Sequence, residues 1–170
     1  MTSAVRDAQR SRVYRAEDAW ASQLDAARLG AQLASVAGSS LSLPGERRLG
    51  SLAAASDYCA LVLALPSVTI FPGLAPPTLR LRSGATKAHW EPPGVIAVPV
   101  PAHGEPWALR ESVLLHELAH HIGAITGIAR GHEAPFPALV LLLTEAALGV
   151  EASFLLRVRY GQERVEVGAL

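Results

Sequence analysis

The stretch Leu114-Leu115-His116-Glu117-Leu118-Ala119-His120-His121-Ile122 combines an apolar helical repeat with two histidines four positions apart. Apolar residues recur at spacings of three or four and predict one buried helix face. They are Leu114, Leu118, Ile122 and Ile125. His116 and His120 lie only about 40° apart around the helix axis, so both imidazoles can reach one metal ion. The stretch therefore predicts a metal-binding helix.

Glu117 adds a chemical group to this helix, because it lies beside His116 at the edge of the same face. There it can take a proton from a metal-activated water and pass it to a leaving group. A catalytic metal lowers the pKa of its water toward ~7 and polarises the scissile carbonyl. The pattern predicts a zinc hydrolase with Glu117 as catalytic acid and base. The alternative is a solvated amphipathic helix, which the separate apolar face argues against.

A catalytic zinc site needs a third protein ligand, because it has three such ligands and one open position. Metzincins place a third histidine six residues after the second, but Thr126 stands there, which excludes that class. His132, in the loop after the helix, and Glu145, on the following predicted helix, are the remaining candidates. We favour His132 and keep Glu145 as the alternative.

Other polar residues are candidates for supporting roles. His121 points about 100° away from His120, so it is expected to support the site or lie at the surface. Glu133 and Asp57 could each orient a ligand histidine through its second ring nitrogen.

The sequence gives weaker indications for the roles of four further residues. His89 and His103, in or beside the strand region, are expected in core or surface roles. Tyr160 or Arg157 could stabilise an oxyanion.

Composition favours one globular domain over residues 1–170. Half of the 170 residues are apolar, the net charge is zero, and Lys87 is the only lysine beside fourteen arginines. We therefore expect no specific nucleic-acid partner. Cys59 is the only cysteine, which excludes an intramolecular disulfide and a zinc site built from cysteines.

The chain carries no pattern of a targeting or membrane segment. The arginine-rich start, 1–18, lacks the apolar core of a signal peptide. The longest apolar run, 136–150, is interrupted by Thr144 and Glu145 and is shorter than the roughly 20 residues of a membrane span. We expect a cytoplasmic protein without a membrane partner.

The first half of the chain changes from helical to extended patterns. Residues 6–37 predict one or two helices, and 38–43 predict a turn with a short extended piece. Pro44 is expected to begin a second helix that ends before Pro66. Thr78–Arg82 alternates polar and apolar residues as a half-buried strand does, and 86–90 and 95–98 complete a predicted meander.

The second half is predicted to be helical. The motif helix is expected to start at Pro106-Trp107, run to about Ile125 and end near Gly127. A supporting helix follows from Phe136 to about Leu148, and 154–160 continue as a helix or strand-like end. The expected fold is α+β and zincin-like, with N-terminal helices, a small three-stranded mainly antiparallel sheet, the motif helix and a C-terminal supporting helix.

Two motifs together resemble a known group of enzymes. The pairing of 116–121 with Gly131-His132-Glu133-Ala134-Pro135-Phe136 resembles zincins of the SprT-like and minimal gluzincin kind. That resemblance implies zinc ligands at His116, His120 and His132, catalysis by Glu117, and Phe136 as anchor of the supporting helix.

A narrower resemblance covers nearly the whole chain. The stretch 6–17 and the strand region from 84–86 through 95–99, with both metal motifs, are similar to a group of small actinobacterial zinc metallohydrolases. This resemblance implies a fold and a metal but no substrate.

These observations predict a zinc-dependent metallohydrolase, expected to be a peptidase acting on an unidentified peptide or protein. Zincins present a strand edge to an extended peptide, and Val95–Val98 is the candidate strand. The alternative is a non-catalytic, zinc-stabilised interaction module that uses the arginine-rich N-terminal helix. A third possibility is hydrolysis of another bond or of nucleic-acid-bound protein. Oligomeric state is not predicted.

Overall fold

The computed structural model describes residues 7–83, 87–99 and 108–170, and within them the protein is α+β, as predicted. The described helices are α1 (Arg10–Arg28), α2 (Leu52–Leu63), α3 (Glu111–Thr126), α4 (Pro135–Leu148) and α5 (Val150–Gln162). The strands are β1 (Leu33–Val36), β2 (Ser39–Ser42), β3 (Thr78–Arg82), β4 (His89–Glu91) and β5 (Val95–Pro99). None of the described helices has both the length and the apolar character that crossing a membrane requires.

Helix α1 buries a stripe of large side chains and is shorter than predicted. Val13, Trp20 and Leu24 are almost fully buried along one face. The predicted continuation to residue 37 is wrong, because β1 and β2 form an antiparallel hairpin after the helix ends. Its turn, Ala37-Gly38, has positive φ at both residues, as two-residue hairpin turns favour.

Helix α2 begins later than Pro44, the predicted start. Ser51 caps it by accepting a hydrogen bond from the Ala54 backbone N–H at 3.1 Å, so the helix begins at Leu52. The residues from Pro44 to Ser51 are not helical, and Arg48 forms a bridge with Arg110 at the start of α3. The predicted end before Pro66 is confirmed.

The three-stranded sheet is mixed, so the prediction of an antiparallel meander is wrong in part. The order is β3-β5-β4, with β5 parallel to β3 and antiparallel to β4. Strand β5 is central because Ile96, Ala97 and Val98 are apolar and fully buried. Strand β3 alternates arginines with leucines and forms an edge, and its predicted bounds are confirmed.

Helix α3 carries the predicted metal motif. Leu114, Leu118 and Ile122 are fully buried as predicted, whereas Ile125 is 40% exposed near the helix end. The helix ends at Gly127 in the left-handed conformation. The predicted start at Pro106-Trp107 is wrong, because Arg110 is extended and the helix begins at Glu111; residues 106 and 107 themselves lie outside the described residues.

Four helices pack side by side, with α3 against α4, α4 against α5 and α5 against α1. The Trp20 indole N–H donates to the Ala152 carbonyl at 3.0 Å and ties α1 to α5. The predicted supporting helix is α4, and 154–160 lie within α5. Strand β4 also packs against α3, with a hydrogen bond between Trp90 and His121. The motif helix thus contacts both the helical layer and the sheet.

Candidate metal centre

Three histidines converge where α3 meets the loop after it. Helix α3 supplies His116 and His120, the loop supplies His132, and one nitrogen of each lies within 4.8 Å of the others. The Nε2 atoms of His116 and His132 are 3.4 Å apart. These three side chains are close enough to bind one metal ion. The alternative ligand, Glu145, is exposed on α4 and is not part of this cluster.

The loop from α3 to α4 is folded tightly enough to return His132 to the helix. Gly123 allows this, because a Cβ there would lie 2.9 Å from the carbonyl oxygen of Ala129. Glu133 accepts hydrogen bonds from the backbone N–H groups of Arg130 and Gly131, at 2.5 Å and 2.8 Å. The prediction that Glu133 orients a ligand histidine is wrong, since its carboxylate holds the loop itself.

Two carboxylates from the N-terminal part of the chain orient the histidines. Glu17 Oε2 lies 2.6 Å from His116 Nδ1, and Asp7 Oδ2 lies 2.7 Å from His132 Nδ1. These contacts hold both rings with Nε2 directed at the common centre. Among the described residues, Asp57 makes no hydrogen bond to a ligand histidine, so its predicted role is also wrong.

The chain ends are fastened to the same region. The Gln9 side-chain N–H group donates to the His132 carbonyl at 2.6 Å and to the Glu166 carbonyl at 3.2 Å. The Glu166 backbone N–H donates to Gln9 Oε1 at 2.9 Å, and the Gly168 N–H donates to the Ala134 carbonyl at 2.7 Å. Residues before α1 and after α5 therefore fix the loop that carries His132.

Two aromatic rings enclose the histidines. Tyr14 stacks on His116 with ring centroids 5.1 Å apart. Phe136, fully buried in the first turn of α4, lies 4.3 Å from His120 and 4.7 Å from His132 by ring centroid. Its position matches the anchoring role implied by the resemblance. These rings limit the orientations open to the imidazoles.

Glu117 is buried beside the histidines, with only 3% of its surface exposed. Burial raises the pKa of Glu117, although His116 and the Trp90 backbone N–H counter part of that rise. Its Oε2 atom has no hydrogen-bond partner in the described part of the chain. The carboxyl group can therefore hold a proton at a free oxygen.

The three histidines differ in their affinity for a proton. Burial disfavours charge on His116, but the Glu17 carboxylate outweighs it, and the pKa of His116 is raised. Burial and the neighbouring His116 lower the pKa of His132, and the same effects lower that of His120 to about 2. Two neutral imidazoles are thus available as metal ligands at neutral pH.

His121 serves the framework of the site. Its Nδ1 atom accepts a hydrogen bond from the Trp90 indole N–H at 3.1 Å, and its Nε2–H donates to the Ala75 carbonyl at 2.8 Å. Burial lowers its pKa, which favours this neutral, doubly bonded form. As predicted, His121 is not part of the histidine cluster; it ties α3 to β4.

The remaining candidates lie apart from the three histidines. His89 pairs with Glu91 at the sheet surface, as expected, and His103 lies outside the described residues. Tyr160 is fully buried and donates to Glu17 Oε1 at 2.6 Å. Arg157 is exposed on α5 beside a groove that contains none of the histidines. The oxyanion role suggested for Tyr160 or Arg157 is therefore wrong.

A cavity of about 370 Å³ opens beside His116 and Glu117. Its lining includes Tyr14, Lys87 and Arg110, and it places polar and charged groups next to the cluster. The site thus has a space into which another molecule fits.

Sequence reasoning missed Asp7, Gln9, Tyr14 and Glu17. One pattern could have identified Glu17, because it lies on the buried stripe of α1, three residues from Trp20. A carboxylate on an apolar face needs a buried partner. Asp7 and Gln9 precede the helix and carry no comparable pattern.

Comparison of the chain with protein-family models, curated proteins and solved structures found no match.

Proposed function

We propose that this protein is a zinc-dependent, zincin-like hydrolase of peptide or amide bonds. The observation that carries the proposal is a buried histidine cluster with an unpartnered Glu117 oxygen beside it. A purely structural metal site has no use for a carboxyl group in that position. The resemblance to SprT-like zincins supports the same assignment.

The residues fit a zinc ion. Imidazole nitrogens bind zinc at about 2.0–2.1 Å, and two of them at tetrahedral angles are then about 3.3 Å apart. The 3.4 Å between Nε2 of His116 and Nε2 of His132 agrees with that spacing. Carboxylates at the opposite ring nitrogens of both residues supply the support that metal-bound imidazoles usually have. Imidazole nitrogen is a ligand that suits zinc.

Glu117 is the proposed general acid and base. When bound, a zinc ion supplies Lewis-acid polarisation of a carbonyl and lowers the pKa of a nearby water. Glu117 takes a proton from the attacking water at Oε2 and delivers it to the leaving amine. Its raised pKa suits both steps, because a carboxyl group that titrates nearer neutrality can accept and return a proton.

An extended substrate is expected to approach along β4. The earlier expectation for Val95–Val98 is wrong, because β5 is the central strand and is paired on both sides. Strand β4 is at the sheet edge, packs against α3, and brings the Trp90 backbone N–H to Glu117. Its outer edge has no strand partner among the described residues and is suited to pairing with a peptide main chain.

The alternative function, a zinc-stabilised interaction module, is favoured by the burial of His116 and His132. It predicts a closed site with four protein ligands, whereas the cluster supplies three in the described residues. The arginines proposed as its contact surface are partly engaged. Arg12 donates to the Arg164 carbonyl, and Arg15 pairs with Glu163.

The test compares wild type, Glu117→Gln and Glu145→Gln, whose side chain is exposed and outside the cluster, for zinc content, zinc-edge absorption and cleavage of a pooled library of internally quenched peptides. We expect one zinc per chain in all three, and a loss of about 10²- to 10⁴-fold in cleavage only in Glu117→Gln. Full activity in Glu117→Gln, or no stoichiometric zinc, refutes the proposal. Four protein ligands and no cleavage establish the interaction module.

A further inference from the structure

We propose that Lys87 binds a carboxylate carried by the substrate residue that follows the scissile bond. This inference rests on the proposed hydrolytic function and adds a substrate class to it. This carboxylate is either the free C-terminus of a peptide or an acidic side chain. Binding of a free C-terminus would make the protein a carboxypeptidase, and binding of a side chain would make it an endopeptidase selective for acidic residues.

Lys87 stands at the cavity beside the metal cluster. Its Nζ atom lies 3.7 Å from the centroid of the Tyr14 ring, and that ring stacks on His116 with centroids 5.1 Å apart. Lys87 is exposed and lines the same cavity as Glu117. The only lysine of the chain is thus held next to the proposed catalytic group.

Apart from Glu117, the other charged groups around this cavity have a charged or hydrogen-bonding neighbour or are exposed. Arg110 lies 3.8 Å from Glu46, and Glu17 contacts His116 and Tyr160. Asp18 is exposed in the lining. Within the described residues, Lys87 has no carboxylate within ion-pair distance. A ring face fixes an ammonium group while leaving N–H donors for a ligand.

The position of Lys87 relative to the histidines suits a carboxylate on the residue after the scissile bond. Successive carbonyl carbons in a peptide are separated by only a few bonds, about 3.3–3.6 Å of chain. Lys87 Nζ and the His116 ring both contact the Tyr14 ring and so lie within about 9 Å of each other, a span compatible with a carbonyl at the histidines and a carboxylate one residue later at Nζ.

Arg10 is the competing cation. Its guanidinium carbon lies 5.6 Å from the Tyr14 ring centroid, but Arg10 does not line the cavity. Of these two cations near Tyr14, only Lys87 lines the cavity together with Glu117.

Three probes with one zinc-binding group test the inference on the zinc-loaded protein. Each is a malonyl hydroxamate, coupled to alanine with a free carboxylate, to alaninamide, or to aspartic acid α-amide. Affinities are measured by calorimetry for wild type, Lys87→Met, Lys87→Arg and Arg10→Met. Since Lys87 is the only lysine, ¹³C reductive methylation gives a single side-chain NMR signal that reports on the same complexes.

We expect one carboxylate probe to bind on the order of tenfold more tightly than the alaninamide probe. This preference disappears in Lys87→Met, persists in Lys87→Arg and Arg10→Met, and decreases with salt. Preference for the alanine acid identifies a carboxypeptidase, and preference for the aspartyl amide identifies side-chain selectivity. The lysine signal shifts only with the preferred probe.

The outcomes separate this inference from the proposed function. Equal binding of all three hydroxamates to a one-zinc protein overturns the Lys87 assignment and leaves the open metal site intact. Loss of the preference in Arg10→Met instead of Lys87→Met moves the carboxylate site to Arg10 and also overturns it. Failure to bind zinc, or failure of every hydroxamate to bind, refutes the proposed function and the inference with it.

Discussion

Replacing Glu17 by glutamine tests whether the N-terminal helix controls the metal site. Glutamine keeps the size of the side chain and an acceptor oxygen, but it removes the charge 2.6 Å from His116 Nδ1. A buried hydrogen bond to a charged group contributes about 1.5–3 kcal/mol, against about 0.5–1.5 kcal/mol for a neutral one. The substitution therefore costs about 1–2 kcal/mol in orientation of the His116 ring.

Such a loss corresponds to about five- to thirtyfold weaker zinc binding, because 1.4 kcal/mol is a factor of ten. Zinc affinity is measured by competition with a chromophoric chelator. Asp18→Asn is the matched control, since Asp18 is the next residue of α1 and is exposed. Tyr160→Phe removes only the second hydrogen bond to Glu17 and is expected to give a smaller loss.

Equal zinc affinities for Glu17→Gln and Asp18→Asn would refute this reasoning. The metal-free proteins are also compared by thermal unfolding, so that a general loss of folding is not taken for a loss of ligand orientation. A Glu17→Gln protein with native stability and weakened zinc binding is the expected result.

Three further outcomes follow from the site. His132→Ala loses stoichiometric zinc whereas Glu145→Gln keeps it, as elemental analysis of the purified proteins would reveal. The raised pKa of His116 means that the metal-free site still holds a proton near pH 6.5, so zinc affinity falls as the pH is lowered. Calorimetry in two buffers of different ionisation enthalpy should detect proton release at that pH, and identical heats would contradict it. Gly123→Ala places a Cβ 2.9 Å from a backbone oxygen of the next loop and should lower stability by about 1–3 kcal/mol, unlike Gly50→Ala, which meets open space.

The parts of the structure that sequence could predict are those with short-range patterns. The spacing of His116 and His120 and the repeat Leu114, Leu118 and Ile122 are local, and α3 has them as predicted. As the third metal ligand, the sequence favours His132 over Glu145 only by a preference and by the resemblance to SprT-like zincins. The structure brings His132 into the cluster because the loop folds back at Gly123.

The sheet was predicted less well, because strand pairing is not local. The bounds of β3 were confirmed, yet its partner is β5, in parallel, and no turn between neighbouring strands could indicate that. The apolar residues of β5 do indicate a central strand, since a strand buried on both faces needs neighbours on both sides. That argument would have excluded Val95–Val98 as a free edge.

The orienting carboxylates are also distant in sequence from their histidines, which explains why local patterns pointed to the wrong residues. The sequence offers Glu133 and Asp57 as acidic residues that could support a histidine, but the carboxylates at the rings are 99 and 125 positions from their partners. Glu17 was nevertheless detectable from α1 alone, because a carboxylate on a buried stripe is costly unless it is bonded. A buried carboxylate needs a hydrogen-bond donor, and a ligand histidine needs a partner for its second ring nitrogen. Both groups gain that partner when α1 packs close enough to α3 for Glu17 to reach His116.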